Sequence, residues 1–145
     1  TASLNEVWGS GPSDVWAVGA VGTILRWNGT TWTPVASGTA SDLRDVWGSG
    51  AGDVWTVGGA GTILRWNGTA WTSVASGTTQ LLNSVWGSGA SDVWVVGRFG
   101  TLLHWNGAAW ANVKSGTTND LNSIWGSGPN DVRAVGAVGR ILRSP

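Results

Sequence analysis

Few residues in this chain have the chemistry of catalysis. The 145 residues include no cysteine and no tyrosine, and His104 is the one histidine. It occupies a strand position that is arginine elsewhere in the chain, at Arg26, Arg65 and Arg143. A position that accepts either basic side chain is typical of a rim site, where the polar head reaches solvent or stacks on a neighbouring indole. Since no nucleophile, base and acid converge in the sequence, we predict that the protein is not an enzyme.

Four aspartates recur at one position of a repeated phrase: Asp14, Asp53, Asp92 and Asp131. A ring of carboxylates could bind calcium, but none has a second acidic residue within two or three positions, as an oxygen cage requires. Each follows a tight Gly-Ser-Gly turn, where an aspartate accepts hydrogen bonds from nearby backbone N–H groups. The same turns lack the helix and lysine of a phosphate-binding loop. We predict structural turn aspartates, with no metal and no cofactor.

The elements that position these residues repeat with a fixed period. The phrase Trp-Gly-Ser-Gly begins at Trp8, Trp47, Trp86 and Trp125, always 39 residues apart. A constant period of this size indicates a repeat architecture, here of about 3.7 units. We divide the single repeat domain, residues 1–145, into units at about 1–39, 40–78, 79–117 and 118–145, the last without its outer strand.

Each unit is predicted to contain four short β-strands. In the first unit they lie near residues 4–9, 14–19, 23–28 and 31–36, rich in valine, isoleucine, threonine and tryptophan. Asn28-Gly29 between the last two predicts a hairpin with a type I′ turn. The second strand shows no apolar–polar alternation, so both of its faces should be buried. This pattern predicts an all-β fold, a β-propeller of four-stranded antiparallel blades, with Trp16, Trp55 and Trp94 as core residues between blades.

Composition excludes several classes of partner. Eight basic and eight acidic residues cancel, so we expect neither nucleic acid nor a membrane surface as partner. No apolar run approaches the length of a membrane span, and no signal segment begins the chain. The absence of methionine predicts a processed or excised piece of a longer product.

The repeated pattern, from Trp-Gly-Ser-Gly through Asp-Val-Trp and Gly-Thr-Ile-Leu-Arg-Trp-Asn-Gly to a final Trp, resembles the tryptophan-rich propeller repeats of large exported myxobacterial proteins. More distantly it resembles the BNR or Asp-box blades of sialidases and the photosystem assembly-factor propellers. Gly29, Thr31 and Trp32 match the Asp-box, but Trp27 replaces its aspartate, so no catalytic residue carries over. The resemblance implies a bacterial protein located outside the cell or on its surface.

Differences between the units point to a binding face. In the link between the second and third strands, the third unit alone has Arg98 and Phe99, an interface-prone pair. We expect them beside the variable links that carry Asp42, Gln80, Asn119 and Asp120. The alternative is that Phe99 folds down onto the next blade. This face is predicted to bind a protein or, in a lectin-like alternative, a carbohydrate.

The fourth unit departs furthest from the repeat. Arg133 replaces the second-strand tryptophan, Arg140 replaces a threonine, and Ser144-Pro145 stand where the next turn should begin. We predict a homodimer of about eight blades, with Arg133 and Arg140 at the seam. The alternatives are part of a longer single-chain propeller and a four-bladed monomer.

Overall fold

Four antiparallel sheets make up the fold, in a computed structural model that describes residues 2–143. Blade 1 consists of β1 (Leu4–Gly11), β2 (Asp14–Gly19), β3 (Ile24–Trp27) and β4 (Trp32–Pro34). Blade 2 has β5 (Leu43–Gly50), β6 (Asp53–Gly58), β7 (Ile63–Trp66) and β8 (Trp71–Ser73); blade 3 has β9 (Leu82–Gly89), β10 (Asp92–Gly97), β11 (Leu102–Trp105) and β12 (Trp110–Asn112); blade 4 has β13 (Leu121–Gly128), β14 (Asp131–Gly136) and β15 (Ile141–Arg143). The predicted all-β blades are confirmed. Ser144-Pro145 lie outside the described residues.

The third and fourth strands of each complete blade form the predicted hairpin, but the turn differs from the prediction. Of the Asn-Gly pair only Gly29 has a positive φ, of 96°. The Asn28 side chain instead accepts hydrogen bonds from the backbone N–H groups of Thr30 and Thr31, and the Asn28 N–H donates to the Thr31 carbonyl. The pair therefore begins a longer, asparagine-capped turn rather than a type I′ turn.

The second strand of each blade carries the core. In β2, Trp16, Ala17 and Val18 are all buried, as the unbroken apolar run predicts. Three apolar clusters lie between successive blades. At the first two interfaces, three indoles meet with ring centroids 4.8–6.0 Å apart: Trp16, Trp66 and Trp71, then Trp55, Trp105 and Trp110.

In blades 1 to 3, a tryptophan of the innermost strand lies on a glycine of the next blade. A Cβ added at Gly48 would lie 2.5 Å from the Trp8 ring, and Gly87 and Gly126 are covered in the same way by Trp47 and Trp86. Only a residue without a side chain leaves room for this contact.

The innermost strands set the order of the blades. Strand β5 packs between β1 and β9, and β9 packs between β5 and β13. Strands β13 and β1, both fully within the described residues, do not pack on each other in this way. The four blades therefore form an arc with two free faces.

Candidate functional site

Each blade has a three-residue tip between its second and third strands, and the tips share one strained conformation. The tips are Ala20–Gly22, Gly59–Gly61, Arg98–Gly100 and Ala137–Gly139. Their central residues have φ of 52–54° and are Val21, Ala60, Phe99 and Val138. A β-branched or aromatic residue in the left-handed region costs about 1–3 kcal/mol, and such strain concentrates at functional sites.

The tips are held in place by the neighbouring link. The N–H of Val21 donates to Asp42, and the N–H of Phe99 donates to Asp120, both at 2.9 Å. In each case the carboxylate belongs to the next blade, so a tip is tied across the interface. Arg98 also reaches Asp120, at 3.9 Å between charged groups.

These contacts bring together part of the predicted binding face. Arg98, Phe99 and Asp120 lie side by side, and Asn119 belongs to the link that packs on Gly100 of the same tip. Asp42 lies at the first interface, and Gln80 lies in the link beside the second tip, Gly59–Gly61. The predicted residues thus lie on one face but at three different blade boundaries.

Phe99 does not fold onto the next blade. It is 65% exposed, and Val21 and Val138 at the equivalent positions are 67% and 86% exposed. The alternative of a Phe99 packed on the next blade is therefore wrong. The result is a face with three exposed apolar side chains.

The repeated aspartates have side-chain partners rather than the predicted backbone ones. Asp14 accepts hydrogen bonds from the Ser10 hydroxyl at 2.6 Å and from Arg26 Nε at 2.9 Å. The Arg26 guanidinium in turn lies 4.8 Å from the Trp16 ring. Asp53 pairs with Arg65 in the same way, and Asp131 pairs with Arg133 and Arg143. In blades 1 and 2 the aspartate thus orients an arginine over the indoles of Trp16 and Trp55, which is a structural role.

In blade 3, His104 takes the place of the arginine that pairs with the aspartate. Its Nε2 lies 2.7 Å from Asp92 Oδ1, and its ring stacks on Trp94 with centroids 4.1 Å apart. Asp92 also accepts a hydrogen bond from the Ser88 hydroxyl. The carboxylate therefore stands between serine and imidazole, so the imidazole does not contact the hydroxyl that it would have to activate.

Electrostatics agree with an ionised Asp92. Partial burial by itself would raise the pKa of this carboxyl, but hydrogen bonds from Ser88, His104 and Trp94 outweigh burial and lower the pKa below its ordinary value. An aspartate held ionised in this way is an acceptor, not a proton donor. In blades 1 and 2 the position of His104 is an arginine, which cannot act as a base.

The two arginines of the predicted seam separate. Arg133 lies on the free face of blade 4, paired with Asp131 at 2.9 Å. Arg140 instead reaches back to blade 3, where its guanidinium donates to the Gly116 carbonyl at 3.1 Å. Arg140 directly precedes β15 at the tip end of the blade, so within one chain it contacts the link from blade 3, and its place at the seam stays a prediction.

Two polar grooves open beside the tips. One, of about 740 Å³, lies between blades 3 and 4 and is lined by Asn112, Lys114 and Thr118, among others. A second, of about 690 Å³, occupies the equivalent place between blades 2 and 3. No tryptophan lines either groove. Across residues 2–143, no three acidic or histidine side chains gather where a metal could bind, and no helix has the length and apolarity to cross a membrane.

Two features of the structure are absent from the sequence predictions. One is the apolar residue at the centre of every tip: the sequence analysis assigns only Arg98 and Phe99 to a binding face, although Val21 and Val138 have the same backbone geometry. The other is the Trp-on-Gly contact between blades. The Trp-Gly dipeptide at the same position of all four units could have revealed it, since an unvarying glycine after a tryptophan indicates a close approach.

Comparisons with known proteins support the fold. No protein-family model matches the chain, and no curated protein sequence matches it. Among solved structures, YCF48 from Cyanidioschyzon merolae superposes with a TM-score of 0.78 at 20% identity, over 97% of this chain and 50% of that one. A structure titled YCF48 bound to D1 peptide gives a TM-score of 0.57 at 16% identity, over 99% and 64%. The computationally designed Ika4 protein gives 0.80 at 14% identity, over 99% and 91%.

The chain thus has the β-propeller fold, and it spans about half the length of the first YCF48 structure. This agrees with the predicted resemblance to photosystem assembly-factor propellers at the level of fold. The resemblances to myxobacterial repeats and to Asp-box blades stay predictions.

Proposed function

We propose that this propeller is a non-enzymatic scaffold that binds a protein segment on its tip face. The observation that carries the proposal is the exposed Phe99, fixed by strained backbone and by Asp120 of the next blade. Because the backbone that carries this ring is already fixed, binding costs little backbone entropy, and an aromatic ring beside an arginine is typical of an interface hot spot. One structural neighbour, YCF48, is titled as bound to a peptide, which supports a peptide as the kind of partner.

The absence of catalytic geometry also supports a binding role. The one Ser–Asp–His grouping holds its carboxylate in the middle, and equivalent groupings in other blades contain arginine. Packing explains these groupings in blades 1 to 3, because Arg26 and Arg65 lie over indoles and His104 stacks on Trp94. We also propose a location outside the cell or on its surface, for which the resemblance to exported bacterial proteins is the support; protease treatment of intact cells tests it.

The test variant gives the tip of blade 3 the residues found at the tip of blade 2. Replacing Arg98→Gly and Phe99→Ala gives the third tip the Gly59-Ala60 pair, which already adopts the same backbone. Peptides are selected from a random phage-displayed library on the wild-type chain, and their Kd is measured by fluorescence anisotropy. We expect the double variant to lose at least tenfold in affinity, about 1.4 kcal/mol, with unchanged thermal stability.

Val21→Ala is the matched control, since it removes an apolar tip side chain from blade 1 and leaves Phe99 in place. Peptide binding that survives the double variant would contradict the proposed face. The second candidate function is carbohydrate binding, favoured by the polar grooves beside the tips. A glycan array tests it, but the lack of a lining indole removes the usual stacking surface for a sugar ring.

A further inference from the structure

Exposed apolar side chains concentrate on the two free faces of the arc. Of the large exposed apolar residues, three lie on blade 1 away from blade 2, and three lie on blade 4 away from blade 3. They are Leu4, Val7 and Trp32 on the first face, at 44–56% exposure, and Trp125, Val135 and Ile141 on the second, at 43–68%.

The same repeat positions are buried wherever two blades meet. Leu43 and Val46, the counterparts of Leu4 and Val7, are 0% and 4% exposed. Val57, the counterpart of Val135, is 0% exposed, and Ile63, that of Ile141, is 1% exposed. The blade 1 face is therefore the receiving half of an interface, and the blade 4 face is its projecting half.

The Trp-on-Gly contact shows the same complementarity. Trp125 is 60% exposed and covers no glycine within residues 2–143. Among the same described residues, Gly9 is the one equivalent glycine without an indole over it, and its nearest neighbours are Val15 and Asp14 of its own blade. Gly9 thus lacks a covering indole, and Trp125 is an indole without a glycine to cover.

We propose that a second copy of this chain covers both free faces. Blade 4 of each copy packs on blade 1 of the other, so Trp125 lies over Gly9 of the second copy. Such a head-to-tail interface either closes a ring or forms a filament. Two copies give eight blades, which is within the range of propellers, whereas three copies would exceed it.

Polar groups match across this seam as well. At the interface between blades 2 and 3, Asp45 accepts hydrogen bonds from the Ser84 hydroxyl at 2.7 Å and from the Val85 N–H at 2.8 Å. The seam places Ser123 at the Asp45 position and Glu6 of the second copy at the Ser84 position. Hydroxyl and carboxylate exchange sides, so the hydrogen bond is kept.

The substitution of arginine for tryptophan in blade 4 also fits this seam. Arg133 occupies the position at which Trp16 meets Trp66 and Trp71. Across the seam the equivalents of those rings are Trp27 and Trp32 of the second copy, whose own centroids lie 5.7 Å apart. A guanidinium on this pair makes a cation–π contact in place of a third indole.

Light scattering coupled to size exclusion tests the seam directly. We expect about 30 kDa, twice the 15.0 kDa of one chain. Val7→Glu on the blade 1 face and Trp125→Glu on the blade 4 face should each give 15 kDa, because a charge is buried at both seams of the ring. Both side chains are more than half exposed within one chain, so each variant keeps its fold, which the circular dichroism spectrum checks.

Mixing the two variants makes the test specific. Each variant retains the face that the other lacks, so one intact seam forms in the mixture and the 30 kDa species returns. Phe99→Glu is the control, since it places the same charge on the tip face and should remain dimeric.

A wild-type mass of 15 kDa over about a hundredfold range of concentration would overturn the proposal, and would leave a further blade of a longer chain as the occupant of these faces. A mixture that stays at 15 kDa, or variants that remain dimeric, would overturn the head-to-tail contact. None of these masses depends on peptide binding at the tips.

Discussion

The interface between blades 2 and 3 and the interface between blades 3 and 4 solve the same packing problem with different chemistry. The first brings three indoles together, with Trp55 at 5.0 Å from Trp105 and 5.3 Å from Trp110. The second has no such triad: at the position of Trp55 it has Trp94, half-buried and stacked on His104 of its own blade. A cavity of about 120 Å³ lies beside Trp94, bounded by Ala134 and Leu142 of blade 4.

The two interfaces also treat the indole N–H differently. Trp94 Nε1 donates to Asp92 at 3.0 Å, whereas the buried N–H groups of Trp55, Trp105 and Trp110 have no partner within the described chain. Burying 150–250 Å² of indole is worth about 4–6 kcal/mol, and an unpaired N–H costs about 1–3 kcal/mol. Apolar burial therefore exceeds the hydrogen-bonding cost, and the indole triad is the more stabilising arrangement.

Truncating the two tryptophans should give the largest difference between these interfaces. We expect Trp55→Ala to reduce the free energy of unfolding by about 3–5 kcal/mol, the range for a large aromatic removed from a core. Trp94→Ala should cost about 1–3 kcal/mol, because part of its ring already faces solvent and a cavity. Urea unfolding followed by circular dichroism measures both. Equal losses would show that the two interfaces do not differ as described.

Filling the cavity should move the weaker interface toward the stronger one. Ala134→Val gives blade 4 the residue that blade 3 has at Val95, where it is buried in the second interface. We expect a gain of about 0.5–2 kcal/mol in the free energy of unfolding. Ala111→Val is the control: it adds the same methyl groups at an exposed position of β12, away from the cavity, and should change stability by less than about 0.5 kcal/mol. An equal gain at Ala111 would contradict the cavity argument.

The features that the sequence predicted are those encoded locally. The period, the four strands of a blade and the hairpin at Asn28-Gly29 follow from alternation, glycine punctuation and repetition, which need no tertiary information. The burial of Trp16 and Trp55 was also predictable, since an apolar run without alternation needs cover on both faces.

The features that the sequence did not reveal depend on residues far apart in the chain or on a local conformation. Asp14 pairs with Arg26, twelve residues away and on another strand, so neither residue indicates its partner by spacing. Phe99 is exposed because its φ is positive, which is rare for an aromatic residue and not readable from its type. Trp94 has the same sequence context as Trp55, yet its burial depends on what blade 4 presents to it.

Acid should affect the two interfaces in opposite directions, the smallest of the expected effects. Asp45 joins blade 2 to blade 3, and burial raises its pKa above the ordinary 3.8 despite hydrogen bonds from Ser84, Val85 and Val46. The pKa of Asp92, at the third interface, is lowered as described above.

The sign of each contribution follows from linkage. Between 3.8 and its raised pKa, Asp45 binds more protons in the folded chain than in the unfolded chain, so its contribution to stability falls as the pH rises. Below 3.8, Asp92 binds more protons in the unfolded chain, so its contribution is lost as the pH falls through its lowered pKa. Asp45→Asn should therefore make stability rise more steeply with pH above 3.8 than in the wild type, while Asp92→Asn should flatten the loss of stability in acid. Urea unfolding in steps from about pH 3 to pH 6 measures both slopes. Two variants that shift the slope in the same direction would show that one of these carboxylates is not held as its hydrogen bonds indicate.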